Sequence, residues 1–360
     1  MISGEPPVDW RIPIVIGCDT DPDRSGFVGA LPSDRLVWRG MLEGIPALKD
    51  AVRNLRDDAG CAPRFTWLLR ADEQVRDLMG SYSWCLEAHG AFLSQLVADG
   101  DALGWHPHFW RLDRGTSRWY QEVEDREWQV AMLHAAHHAL QTAGLSPASA
   151  RMGWTYHTSE TFNTLDALGV RLEFSPFPGL RSYRSRPATR SENQFDWSIT
   201  PTQSFFASRR DPRKAAGAGE PACRMLTLPC FVAQQRAWGF VAGVQMARKS
   251  ASPGPIWDAI RRPSYVINLT ARPTLFAPLV NQLRDSVHSA RAGRRPAPAF
   301  ATYFHPDELI PNRSTMYALQ HVRENIVALV DCIRSAGASP AFVTADQYVN
   351  LWGAETRSTS

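Results

Sequence analysis

Three aspartates close the first apolar run of the chain, in Asp19-Thr20-Asp21-Pro22-Asp23, and two histidines close the third, in His106-Pro107-His108. On a β-strand, residues i and i+2 point to the same side, so both imidazoles can face one ion. Two imidazoles and one carboxylate form a common catalytic set for zinc or a similar divalent metal, with positions left open for water and substrate. Further along, Arg151 stands at the start and His157 at the end of a fourth apolar run, and His305 ends another, followed by Pro306-Asp307-Glu308. Parallel barrels carry their chemistry at the C-terminal ends of the strands, where these groups would meet on one rim. Spacing alone leaves open which aspartate serves the ion. It also leaves open a glycosidase arrangement in which Asp19 works with Glu160 or Glu173.

Trp105, Trp110 and Trp154 fall beside these residues and are expected to line the site, because aromatic faces suit sugar rings and other flat ligand surfaces. His157 is expected to join them. His134, His137 and His138 read as ordinary helix residues, since no glutamate follows His134 to make a zinc-protease helix. The six cysteines are scattered without a Cys-x-x-Cys pair and read as reduced core residues, with Cys18 close enough to the site for a local role.

The elements that must position these groups alternate short apolar runs with helical patterns, the rhythm of repeated βα units. Strands are predicted at Ile12–Cys18, Arg64–Leu69, Ala102–Trp105, Ala150–Tyr156, Val170–Phe174, Arg224–Pro229, Phe300–Phe304 and Pro340–Thr344. Helices are predicted at Arg39–Asp57, Tyr82–Ala98, Glu122–Ala143 with Gly144 as its stop, Ser159–Leu168 with Gly169 as its stop, and Thr315–Ala336. The segment 181–219 lacks periodicity and reads as a long inserted loop over one face, the expected specificity element. A dinucleotide fold would need a glycine-rich first turn, whereas this turn carries three aspartates. The expectation is one α/β domain over residues 1–360, a (β/α)7–8 barrel of parallel strands and outer helices.

Composition narrows the partners. The 360 residues are 44% hydrophobic and 21% charged, with a net charge of +3, which gives no general pull toward nucleic acid. No run reaches the ~18–20 apolar residues of a membrane span. The first residues lack the basic flank and apolar stretch of a secretion signal, so a cytoplasmic location is expected. The oligomeric state is not legible.

Taken in order, the motifs resemble those of the polysaccharide deacetylase superfamily (NodB-type, carbohydrate esterase family 4). Cys18-Asp19-Thr20-Asp21 resembles the first motif, Leu103-Gly104-Trp105-His106-Pro107-His108 the histidine motif, and Arg151-Met152-Gly153-Trp154 the arginine motif. Tyr303-Phe304-His305-Pro306 resembles the strand that ends in the catalytic histidine, and Phe342-Val343-Thr344-Ala345-Asp346 the closing segment. The resemblance implies Asp19 as general base, Asp21, His106 and His108 as metal ligands, Arg151 as the group that orients the base, and His305 as general acid. It implies zinc, or cobalt, nickel or manganese, and hydrolysis of an acyl group, usually N-acetyl, on a sugar or glycan. Three departures mark a divergent branch: Asp-Thr-Asp replaces an adjacent Asp-Asp pair, His-x-His replaces His-x-x-x-His, and Gly153 stands where the family carries proline.

Overall fold

The computed structural model describes residues 10–23, 36–181, 195–233, 244, 256, 264–295, 297–311 and 316–358. One curled sheet organises them, in the order β10-β1-β2-β3-β6-β7-β9-β8. Its strands are β1 (Arg11–Thr20), β2 (Thr66–Arg70), β3 (Ala102–His106), β6 (Ser149–Ala150), β7 (Leu172–Glu173), β8 (Phe205–Ser208), β9 (Ala222–Thr227) and β10 (Phe300–Phe304). All neighbours are parallel except β8 and β9. A further parallel strand, β11 (Ser339–Val343), shares one edge of β1 with β2, taking residues 11–15 while β2 takes 17–20. Beyond β9 the chain returns to β10, where the Phe231 N–H donates to the Ala301 carbonyl at 2.8 Å, so the curl comes close to closing. Strands β4 (Trp110–Asp113) and β5 (Arg118–Gln121) form a separate antiparallel hairpin directly after the histidine motif. The α/β barrel expectation holds in this nearly closed form.

Strand alternation splits the core into three parts. Val15, Leu68, Leu172, Phe174, Leu226 and Ala301 fill the inside of the curl. Their neighbours in sequence point outward. Ile12, Ile14, Ile16 and Cys18 meet helices α1 (Ile45–Val52), α6 (Pro273–Arg291) and α7 (Leu319–Ser335), while Trp105 and Ala150 meet α4 (Arg126–Thr142) and α5 (Ser159–Ala167). Further helices are α2 (Glu73–Met79), α3 (Trp84–Ala98) and α8 (Ala345–Ser358). Among the described residues no helix is long and apolar enough to cross a membrane.

Several elements differ from the sequence expectation. The fourth strand is only Ser149–Ala150, because the chain turns into a 3-10 helix at Gly153–Thr155 with Trp154 and Thr155 both at positive φ, 55° and 52°, which no strand accommodates. The fifth shrinks to Leu172–Glu173. Helix α4 begins at Arg126, because Asp125 caps it through the Trp128 N–H while Glu122 accepts the N–H groups of Glu124 and Asp125. The 181–219 segment contains β8, and residues 182–194 lie outside the described residues. Helix α6, not expected at all, is masked in sequence by Pro273 and by Pro278 inside it.

The inside of the curl is tight. A Cβ on Gly104 would stand 2.6 Å from Ser149 Oγ and 2.7 Å from a Leu68 methyl, and one on Gly17 would stand 2.5 Å from the Phe174 ring. Gly104→Ala is expected to cost ~1–3 kcal/mol as overpacking. Denaturant unfolding of the purified variant measures it, and wild-type stability would contradict the packing described.

Candidate metal centre

Residues at the inward-facing positions of successive strand ends form the site. From β1 come Asp19 and, just past its end, Asp21. Arg70 comes from β2, His106 from β3, Arg151 from the residue after β6, and Tyr303 and His305 from β10 and its end. His108 follows two residues after His106. The Nε2 atoms of the two histidines lie 3.0 Å apart. Asp21 Oδ1 is 3.5 Å from His108 Nε2, and its Oδ2 is 3.7 Å from His106 Nε2. One donor atom from each of the three residues lies within 4.8 Å of the others, and all three residues are buried.

These donors fit a divalent ion. An ion held at ~2.0–2.2 Å by each donor sets neighbouring donor atoms about 3 Å apart. Two imidazole nitrogens at 3.0 Å also need a shared proton or a cation between them. His106 Nδ1 lies 2.6 Å from the Arg151 carbonyl, so Nδ1 carries the proton and Nε2 is turned toward Asp21 and His108. Burial and then the charge of Arg70 push the His108 imidazole down to about 4. Burial alone would raise Asp21, but His108, His106 and Arg70 outweigh it and hold the carboxyl well below the usual range. Burial likewise opposes a charge on His106, and Asp19 and Asp21 overcome it and raise its pKa.

The two aspartates are thereby separated. Asp19 is paired through Oδ2 with Arg151, whose guanidinium stacks 3.9 Å above the Tyr303 ring. Asp19 Oδ1 is buried without a hydrogen bond. His305 Nε2 stands 3.6 Å from Asp19 Oδ2 and 3.9 Å from Asp21 Oδ2. Its Nδ1 faces Glu308 at 3.4 Å, and Glu308 is fixed by Asn268 and by the Thr270 hydroxyl at 2.6 Å.

Other expected residues fall elsewhere. Asp23 lies outside the donor group: its carboxylate accepts the N–H groups of Gly40 and Arg39 and caps a π-helical turn, Gly40–Gly44. Cys18 and Trp105 point away from the site by strand parity. Trp105 is fully buried behind the sheet and donates to the Ala71 carbonyl, so it packs rather than lining the site. His157 is also fully buried there, 3.3 Å from Glu173 and against Phe162 and Trp197. Glu173 therefore does not face Asp19, and Glu160 pairs with Arg126 on the outside, so neither makes a glycosidase pair. Trp110, almost fully buried, lies parallel to the His108 ring at 6.1 Å and backs that ligand. Trp154 is half-buried next to Gly153, which itself lies against His108. Arg70 and Asp72 were not anticipated. The predicted second strand stopped at Leu69, yet Leu68 and Arg70 share its inward face, which is the signal a longer strand would have given.

No family model matches the chain and no curated protein sequence matches it. Solved structures do. A protein from Parabacteroides distasonis assigned as a glycoside hydrolase/deacetylase superposes with a TM-score of 0.53 at 13% identity, over 96% of this chain and 73% of that one. An assigned polysaccharide deacetylase from Mycobacterium smegmatis gives 0.45 at 12% identity, over 99% and 93%, and Puue allantoinase 0.46 at 12%, over 98% and 95%. The first establishes a shared glycoside hydrolase/deacetylase fold.

Two glycines make room for the site. A Cβ on Gly153 would lie 2.2 Å from the His108 ring, and one on Gly40 would lie 2.5 Å from the backbone of Pro306 and Asp307, in the turn that follows His305. Gly153→Ala is expected to weaken cobalt(II) binding ~10-fold or more through displacement of His108. Gly40→Ala, whose strain falls on the Pro306–Asp307 turn instead, is expected to leave cobalt(II) affinity unchanged. Chelator competition on both variants separates the two, and equal affinity in Gly153→Ala would contradict the placement of His108.

Proposed function

We propose that the chain is a metal-dependent hydrolase that removes an acyl group, of the N-acetyl type, from a sugar or a sugar-containing small metabolite. The observation that carries this reading is the convergence, at one mouth, of an Asp21/His106/His108 donor set with a carboxylate on one side and an imidazole on the other. The shared barrel fold supports it. Zinc, cobalt, nickel or manganese would be held by Asp21, His106 and His108. Such an ion supplies Lewis acidity, which makes water more acidic and steadies charge on a carbonyl oxygen.

The protein groups divide the remaining work. Asp19 takes a proton at Oδ1, the oxygen left without a hydrogen bond, while Arg151 holds Oδ2 and so fixes which oxygen is free. His305 gives a proton from Nε2 to the departing amine, with Nδ1 turned toward Glu308. Arg151 is itself held against Tyr303 and Phe177, so the base is oriented by a group that cannot swing away. The half-buried Trp154, next to the Gly153 that lies against His108, would offer its face to a sugar ring.

Elemental analysis of purified protein, with activity on a panel of N-acetylated sugars and their nucleotide conjugates, tests the reading. About one divalent ion per chain is expected, lost in Asp21→Ala and in His106→Ala/His108→Ala. His305→Ala should retain the ion and lose ~10²–10⁴-fold in turnover. Deacetylation that survives full chelation would sink the proposal.

A further inference from the structure

Arg70 is 4% exposed and lies between the two ligand-bearing strands, paired in register with His106 of β3 while its own strand also borders β1. Its guanidinium bridges two carboxylates. Nη1 donates to Asp21 Oδ1 at 2.7 Å, and Nε pairs with Asp72 Oδ2. Nη2 donates to Gln74 Oε1 at 2.9 Å. Asp72 in turn accepts the backbone N–H of His108 at 3.1 Å and caps α2 through the N–H groups of Gln74 and Val75. One planar fork thus links the carboxylate donor to the backbone of an imidazole donor, without being a donor itself.

A simple structural arginine would need only the Asp72 and Gln74 contacts. The contact with Asp21 goes further, because a charge-assisted hydrogen bond at 2.7 Å occupies Oδ1. Oδ1 also stands 3.5 Å from His108 Nε2, whereas Oδ2, which takes no bond from Arg70, faces His106 and His305. A carboxylate left unrestrained beside a divalent ion can bind it through both oxygens, which fills a position that substrate or water would use.

We infer that Arg70 is a positioning residue that occupies Asp21 Oδ1, so that Asp21 meets the metal through Oδ2 alone, and that Asp72 locks Arg70 and the His108 backbone into the same unit. This inference rests on the metal-dependent reading above. It assigns to β2 a part in setting the coordination number that none of the three ligands can set for itself.

The test uses the full chain loaded with cobalt(II), whose visible absorption reports coordination number. Arg70→Gln/Asp72→Asn removes both buried charges together, which protects folding, and circular dichroism checks that it does. The expected result is one cobalt per chain, affinity within threefold of wild type, and absorption at least twofold weaker, as higher coordination produces. Arg70→Lys/Asp72→Asn restores the wild-type spectrum, since an ammonium still reaches Oδ1. A wild-type spectrum in the folded Gln/Asn variant overturns the inference and leaves the metal-dependent reading intact. A tenfold or greater loss of cobalt affinity in that variant also overturns it, by making Arg70 a scaffold of the site as a whole. A wild-type protein that takes up no cobalt overturns both.

Discussion

Each of the two aspartates at the end of β1 is claimed by one buried guanidinium: Asp19 by Arg151 and Asp21 by Arg70. Buried charges are tolerated only when paired and hydrogen-bonded, and removal of one partner leaves a desolvated charge that costs ~3–5 kcal/mol. The surrounding inventory is not balanced. Four carboxylates, Asp19, Asp21, Asp72 and Glu308, stand against two guanidiniums, Arg70 and Arg151, with the imidazoles of His106 and His305 between them. On the proposed function, a divalent cation at Asp21, His106 and His108 would add positive charge where carboxylates outnumber guanidiniums. The pairing scheme holds the two aspartates apart in role.

Holding such a cluster requires a frame that does not relax, and the curled sheet supplies it. Close approach is obtained by removing side chains where backbones meet. The departures from the deacetylase motifs that the sequence resembles make sense together in this light. With His-x-His in place of the longer spacing, the second imidazole comes down on residue 153, and only a glycine leaves space for it. A proline at that position would fill the space and also remove the N–H that Gly153 donates to the Pro107 carbonyl at 2.9 Å. On the opposite side Gly40 and Gly44 seat the π-helical turn on the Pro306–Glu308 turn beside His305, and Asp23 caps that turn. The third aspartate of Asp19-Thr20-Asp21-Pro22-Asp23 thus supports the His305 side of the site through packing.

Much of this was legible from alternation. The i, i+2 rule on β1 and past β3 picks out Asp19 with Asp21 and His106 with His108, and the run into His305 ends as expected. The same rule, applied to the neighbours, excludes Trp105 and Cys18, since the residue between two inward positions must face out. His157 was misplaced for a different reason. The fourth strand lasts two residues, and two left-handed residues at Trp154 and Thr155 reset the parity before His157 is reached. Nothing in residue type announces that turn, because neither tryptophan nor threonine favours positive φ. Arg70 escaped because a single arginine after an apolar run reads as a solvated strand end. Its burial depends on Asp72, two residues on, being turned inward by its duty as a helix cap.

Exposure grades the site from outside to inside. His305, Asp21 and His108 keep 16%, 10% and 9% of their side-chain surface, while Asp19, His106, Arg151 and Arg70 keep 2–4%. On the proposed reaction this gradient has a direction. A substrate arrives over His305 and the outer edge of the donor set, so its leaving group stays at the mouth, next to the imidazole that protonates it. The carbonyl carbon must reach inward to the level of Asp19, where water is scarce and every charge interaction is strengthened. A bulky polymer chain can remain outside the curl while only the acyl group enters, and a small metabolite can enter by the same route. Below that level Leu68 lies against both Gly17 and Gly104, and Phe174 lies against Gly17, so the inside of the curl is filled there. On the proposed reaction, only a short acyl group would fit between that apolar layer and the donor set.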